Sequence, residues 1–121
     1  MVTLELEADS EGYRYKLSCI KNGQEAAVGE YAEDVTNTIN AKYLLALNAA
    51  LSRMTKASDI LIKFKKNGIG VYGAIIQEWP QRWLQNGWKT SKNTEVKNKE
   101  LWQQYLRNTG KHTITALVEE S

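Results

Sequence analysis

Residues 40–54 constrain the fold most. Leu44, Leu47, Leu51 and Met54 recur at helical spacing, and Leu45, Ala46, Ala49 and Ala50 widen the stripe almost round the helix. A helix with so little polar surface must be pressed between other elements rather than laid on a surface. Thr36, Asn37 and Thr38 stand before it as candidate N-caps. What precedes it has a different period. Val2, Leu4 and Leu6 alternate with polar residues, as do Tyr13, Tyr15, Leu17 and Cys19. Period 2 predicts strands, with a turn at 9–12 between them. Asn22-Gly23 tolerates positive φ and predicts a tight hairpin into a third strand over 24–32.

After the helix, Ile60, Ile62 and Phe64 predict a fourth strand over 59–65. Asn67-Gly68 then opens into Ile69, Tyr72, Ile76 and Trp79 at helical spacing. Pro80 suits the first turn of a further helix over 80–86, ended by Asn86-Gly87. Residues 88–97 read as a basic loop. Asn98 can cap a helix running to Arg107, with Leu101, Trp102, Tyr105 and Leu106 inward and Gly110 as its stop. His112 to Val118 alternate as a last strand. The expected order is βββαβαααβ, one α/β domain over 1–121 with no repeat and no linker.

Charge is uneven along this chain. Trp79 to Lys111 holds all four tryptophans and seven Lys or Arg against two acids, whereas residues 1–60 carry nine acids against six cations. Aromatic rings among cations and amides suit phosphates, sugars and base faces, so the first partner to consider is nucleic acid. No apolar run reaches the ~20 residues of a membrane span, and Met1 opens no basic-then-apolar leader. A single cysteine, Cys19, forms no internal disulfide and fits a reducing compartment, so a cytoplasmic protein is expected. Asn67-Gly68 with Gly70 matches neither phosphate-loop pattern.

Trp79 and Trp83, then Asn86-Gly87-Trp88-Lys89-Thr90, Val96-Lys97-Asn98 and Leu101-Trp102-Gln103 resemble the protrusion of ribonuclease H of the bacterial type. Thr38 and Asn40 to Ala46 are similar to the start of that family's long helix. The resemblance implies a five-stranded mixed sheet with helices on both sides. It also implies hydrolysis of RNA in RNA–DNA hybrids by four carboxylates holding two divalent metal ions.

Laid on that pattern, the first carboxylate falls on Glu7, the second on Tyr43 and the third on Lys66, and the fourth lies past Ser121. No register change rescues the third, because no acid lies between Asp59 and Glu78. A lysine beside divalent cations repels them, and one acid is too few ligands. The expectation is therefore a ribonuclease H-like domain without nuclease activity or metal. It would bind hybrid or duplex weakly through Thr38, Asn40, Trp88, Lys89, Lys92, Lys97 and Lys99. Trp79, Trp83 and Trp102 read as core by their spacing with Leu and Ile; Thr38 and Asn40 have a plain capping role, and the lysines can equally be a solvated face. One alternative is an active ribonuclease H using Mg²⁺ or Mn²⁺ on unusual ligands, for example Glu7 with Asp9 and a partner from another chain. Another is a protein-interaction scaffold, with a homodimer left open.

Overall fold

The computed structural model describes residues 1–119. Three antiparallel strands come first: β1 (Val2–Ala8), β2 (Gly12–Lys21) and β3 (Gln24–Glu33). Asp9 closes the first turn, its Oδ1 accepting the N–H of Glu11 at 2.9 Å and of Gly12 at 3.1 Å. Asn22 (φ 53°) and Gly23 (φ 78°) form the second, the left-handed pair that matches strand twist. Helix α1 follows (Ile39–Ser52), then β4 (Asp59–Phe64), a 3-10 turn (Lys66–Gly68), α2 (Ile69–Ile76), α3 (Trp79–Gln85), α4 (Lys99–Thr109) and β5 (Thr113–Val118). The sheet order is β3-β2-β1-β4-β5, with β4 parallel to both β1 and β5. No helix among the described residues is long and apolar enough to cross a membrane.

Register explains the core. Leu4 pairs with Leu17 and Ile62, Leu6 with Tyr15, and Ile62 with Ala116, so these residues share one face. That face carries the helices, and Leu4, Leu6, Leu44, Leu47, Ile62 and Phe64 are fully buried on or against it, each contributing roughly 1.5–3 kcal/mol. Helix α1 lies between β1, β2 and α4, as its wide apolar surface requires. Asn48 joins α1 to α4: its Nδ2 donates to the Leu101 carbonyl at 3.0 Å, and its Oδ1 accepts from Asn108 Nδ2 at 3.2 Å.

The other face departs from the expectation of helices on both sides. Thr3, Glu5, Glu7, Lys16 and Lys63 lie there, and no residue of that face joins the core cluster among the described residues. Its rows set Glu5 between Lys16 and Lys63, a pattern of opposite-charge neighbours suited to water.

Caps differ in two places. Thr38 caps α1, its Oγ1 accepting the Ala41 N–H at 3.1 Å. Asn98 stands at the α4 cap in a left-handed conformation (φ 60°) without a side-chain cap bond, and Gly110 ends α4 right-handed (φ −56°). Ahead of α1, Asp34 accepts the N–H groups of Thr36 and Asn37, which hold its carboxyl down at about 2 from an ordinary 3.8. A depressed carboxyl stabilises the fold above its unfolded pKa, and that gain disappears as pH falls through the folded value. The melting-temperature gap between the parent and Asp34→Asn should therefore be full at pH 6 and close between about pH 4 and pH 2.

Candidate functional site

The end of β1, the first turn of α1 and the 3-10 turn after β4 meet at one point. Alternation along β1 puts Ala8, with Leu4 and Leu6, on the helix side. Tyr43 enters from α1 and is fully buried. Its Oη donates to Asn67 Oδ1 at 2.5 Å, and Asn67 Nδ2 donates to the Ala8 carbonyl at 2.7 Å. Burial pushes the Tyr43 phenol up to about 12, so it stays protonated and serves as a donor. Gly68 is required here: a Cβ would come 2.8 Å from the Tyr43 ring and 3.1 Å from Phe64. Lys42, 2% exposed, extends beside this cluster and donates from Nζ to the Asp9 carbonyl at 2.6 Å.

The residues singled out by sequence fall differently. Glu7 lies on the opposite side of the sheet from Tyr43, because it is one residue out of step with Ala8. It is bound by the Arg14 guanidinium at 2.5 Å and lies 3.9 Å from Lys65. Lys66 is exposed at the start of the 3-10 turn, and Asn67 is the residue of that turn whose side chain bonds to Tyr43. Asp9, the companion acid of the alternative reading, caps its own turn. Ala8, Asn67 and Lys42 escaped the sequence reading; the parity of β1 was the signal available for Ala8.

This donor set does not fit a divalent pair. It offers a methyl group, a protonated phenol and an amide already bonded on both ends, with an ammonium close by. Magnesium and manganese require several anionic oxygens. Among the described residues, no three His, Cys, Asp or Glu side chains gather where they could hold a metal.

Next to this centre a cleft of about 360 Å³ runs between the start of α1, α2 and the segment after α3. Asn40, Gln77, Trp79, Thr90 and Lys97 line it, and Gly70 and Gly73 leave its floor low. A Cβ on Gly70 would come 3.1 Å from the Asn40 amide. The aromatic roles are the reverse of expectation for two tryptophans. Trp88 is 7% exposed and belongs to the core; Trp79, read as core, is 44% exposed and lines the cleft. Gly87 (φ 66°) and Trp88 (φ 64°) turn the chain left-handed, and the Trp88 N–H donates to the Trp83 carbonyl at 2.7 Å, folding the indole inward. Trp83 sits centrally, its ring centroid 5.8 Å from Trp79, 6.5 Å from Trp88 and 5.7 Å from Trp102.

The basic segment is ordered rather than an open loop. The backbones of Lys89 and Glu95 pair as an isolated antiparallel β-bridge, and the Thr90 and Thr94 hydroxyls lie 2.7 Å apart. Lys89, Lys92 and Lys97 are exposed and Lys99 is half-buried at the start of α4. Of these lysines, Lys97 lines the cleft. Asn40 is exposed within it, and Thr38 is exposed with its hydroxyl engaged as the cap.

No protein-family model matches the chain. Ribonuclease H of Francisella tularensis subsp. novicida (strain U112) is 37% identical over 98 residues, covering 78% of this chain and 59% of that protein. Ribonuclease H of Francisella philomiragia subsp. philomiragia is 36% identical over the same length. The chain thus spans about three fifths of the curated relatives it matches. Among solved structures, LC9-RNase H1, a type 1 RNase H with the type 2 active-site motif, superposes with a TM-score of 0.74 at 15% identity, over 99% of this chain and 63% of that one. The foamy viral protease-reverse transcriptase in complex with RNA/DNA hybrid gives 0.71 at 13% identity, over 97% of this chain and 17% of that one.

Proposed function

For this chain, a ribonuclease H homologue with that family's fold, we propose binding of a nucleic-acid duplex without hydrolysis. The observation that carries this is the Ala8–Tyr43–Asn67 cluster, which is closed by its own hydrogen bonds and lacks a carboxylate. The cleft beside it keeps what binding needs. It has an exposed indole for sugar or base faces, amides at Asn40 and Gln77, and the Lys97 cation, with Lys89 and Lys92 on the same basic segment. Solved neighbours of this fold include the foamy viral enzyme in complex with RNA/DNA hybrid and with dsDNA, which supports hybrid or duplex as the ligand class. The protein would act in the cytoplasm, where Cys19 stays reduced.

The test uses labelled RNA–DNA hybrid, duplex DNA and duplex RNA. With Mg²⁺ or Mn²⁺, none should be cut, while gel shift detects a salt-sensitive complex. Lys89→Glu with Lys97→Glu should weaken it at least tenfold and flatten the salt dependence by about two counterions. Hybrid cleavage that Glu7→Gln abolishes would restore the nuclease reading, and binding indifferent to both reversals would remove the cleft from the account.

A further inference from the structure

The two edges of the sheet differ. β5 is six residues long and lies against α2. β3 forms the other edge over ten residues, and Gln24 to Tyr31 are all exposed. Edge strands are ordinarily blunted by Pro, Lys, bulges or a covering element, because their open backbone groups otherwise pair with another chain. β3 contains neither Pro nor Lys. Its register against β2 runs without a bulge from Gln24 opposite Lys21 to Glu33 opposite Gly12, and β2 is the element packed along it. The outward backbone groups follow from the hairpin. In a two-residue turn the closing pair, Lys21 and Gln24, is hydrogen-bonded, and bonding alternates from there. The Asp34 N–H, donating to the Glu11 carbonyl at 2.8 Å, continues the same parity. Even-numbered residues of β3 therefore bond to β2, while Glu25, Ala27, Gly29, Tyr31 and Glu33 turn their N–H and C=O groups outward.

We propose that this edge pairs antiparallel with β3 of a second copy of the chain, joining two five-stranded sheets into one across a two-fold axis at Val28. An open backbone ladder takes an extended strand, and β3 is complementary to itself. Rotation about Val28 sets Ala27 opposite Gly29 and Glu25 opposite Tyr31, so that their outward N–H and C=O groups bond to each other. Ala26 then stands opposite Glu30, and Val28 faces its own copy. No glutamate faces another, and the middle of the strand is small and uncharged. Glu30 is already paired with Arg53 at 2.8 Å and accepts from the Tyr15 hydroxyl. Parallel pairing in register would set each glutamate against its copy, which like-charge repulsion disfavours. A two-fold pair uses up the edge on both copies, so assembly closes at a dimer. The α1–α2 cleft draws none of its described lining from β3, so dimerisation does not rest on duplex binding.

Sedimentation velocity on the full chain over a range of concentrations is the first test. The mass should double as concentration rises, and a monomer up to about 1 mM would overturn the proposal. Amide-resolved hydrogen exchange locates the contact without a mutation. As concentration rises, the N–H groups of Glu25, Ala27, Gly29 and Tyr31 should gain protection, whereas those of Ala26, Val28 and Glu30, already bonded to β2, should not change. A dimer without that alternation would place the interface elsewhere and equally overturn the proposal. Val28→Lys and Val28→Glu, each checked for folding by circular dichroism, should weaken self-association by at least about fivefold through like charges at the axis. An equimolar mixture of the two should restore the dimer. Dimerisation indifferent to both substitutions, or a mixture no better than either variant alone, would exclude pairing about Val28.

Discussion

Placing carboxylates where Ala8, Tyr43 and Asn67 meet is expected to convert the chain into a manganese-dependent protein. The variant is Ala8→Asp, Tyr43→Glu and Asn67→Asp together. These positions share one point in space, because Asn67 touches both Tyr43 and the Ala8 backbone. Without metal, three acids crowded together repel one another, and an uncompensated buried charge costs about 3–5 kcal/mol. The variant should therefore melt well below the parent. Metal that binds only the folded form returns about 2.7 kcal/mol at a hundredfold excess over Kd, or roughly 10 °C in a domain of this size. Melting with Mn²⁺ and with EDTA checks this, and if the metal-free variant is unfolded, the circular-dichroism gain on adding Mn²⁺ is the readout. Adding Lys42→Met should tighten metal binding, since it removes a buried ammonium from beside the site. The parent should not respond to metal, and adding Glu7→Gln to the triple variant should leave its Mn²⁺ response in place, because the Glu7 carboxylate is engaged by Arg14 and Lys65. A folded triple variant indifferent to Mn²⁺ would mean that the three positions do not converge as described.

That test depends on parity, and parity also marks where sequence stopped being informative. Strand, hairpin and helix were legible because each was a local pattern: Asn22-Gly23 has one economical conformation, and the stripe from Leu44 to Leu51 has one period. The centre was not local. Choosing between Glu7 and Ala8 required knowing which face of β1 meets α1. The alternation with buried Leu4 and Leu6 puts Ala8, and not Glu7, on the face that meets α1. In the turn after Phe64 it is Asn67 and not Lys66 whose side chain bonds to Tyr43, because the 3-10 turn rotates the chain out of the strand's alternation. On the sheet face that no described helix covers, Glu5, Lys16 and Lys63 stand at alternate positions, a pattern legible in the sequence.

The tryptophans make the sharpest division between stability and binding. Trp102 is 4% exposed and packs edge-on against Trp83 at 5.7 Å and Tyr105 at 5.5 Å. It joins α4 to the aromatic stack under the basic segment. Trp102→Ala should cost about 3–5 kcal/mol, most of it from the cavity left behind. Against a total stability of roughly 5–15 kcal/mol that leaves the domain marginal. Trp79→Ala should behave in the opposite way. Its ring is 44% exposed, and in the folded chain it loses the edge contact with Trp83 and the bond from Nε1 to Gln77 at 2.9 Å. The stability change should stay below about 1 kcal/mol, whereas losing a ring packed on the duplex sugars weakens duplex binding by about 1 kcal/mol or more, at least fivefold. Urea melts and gel shifts on the two variants separate these effects. If Trp79→Ala bound duplex as well as the parent does, the cleft would lose its aromatic contact. If instead Trp102→Ala remained fully stable, the Trp83 cluster would not be what holds the basic segment to the body of the fold.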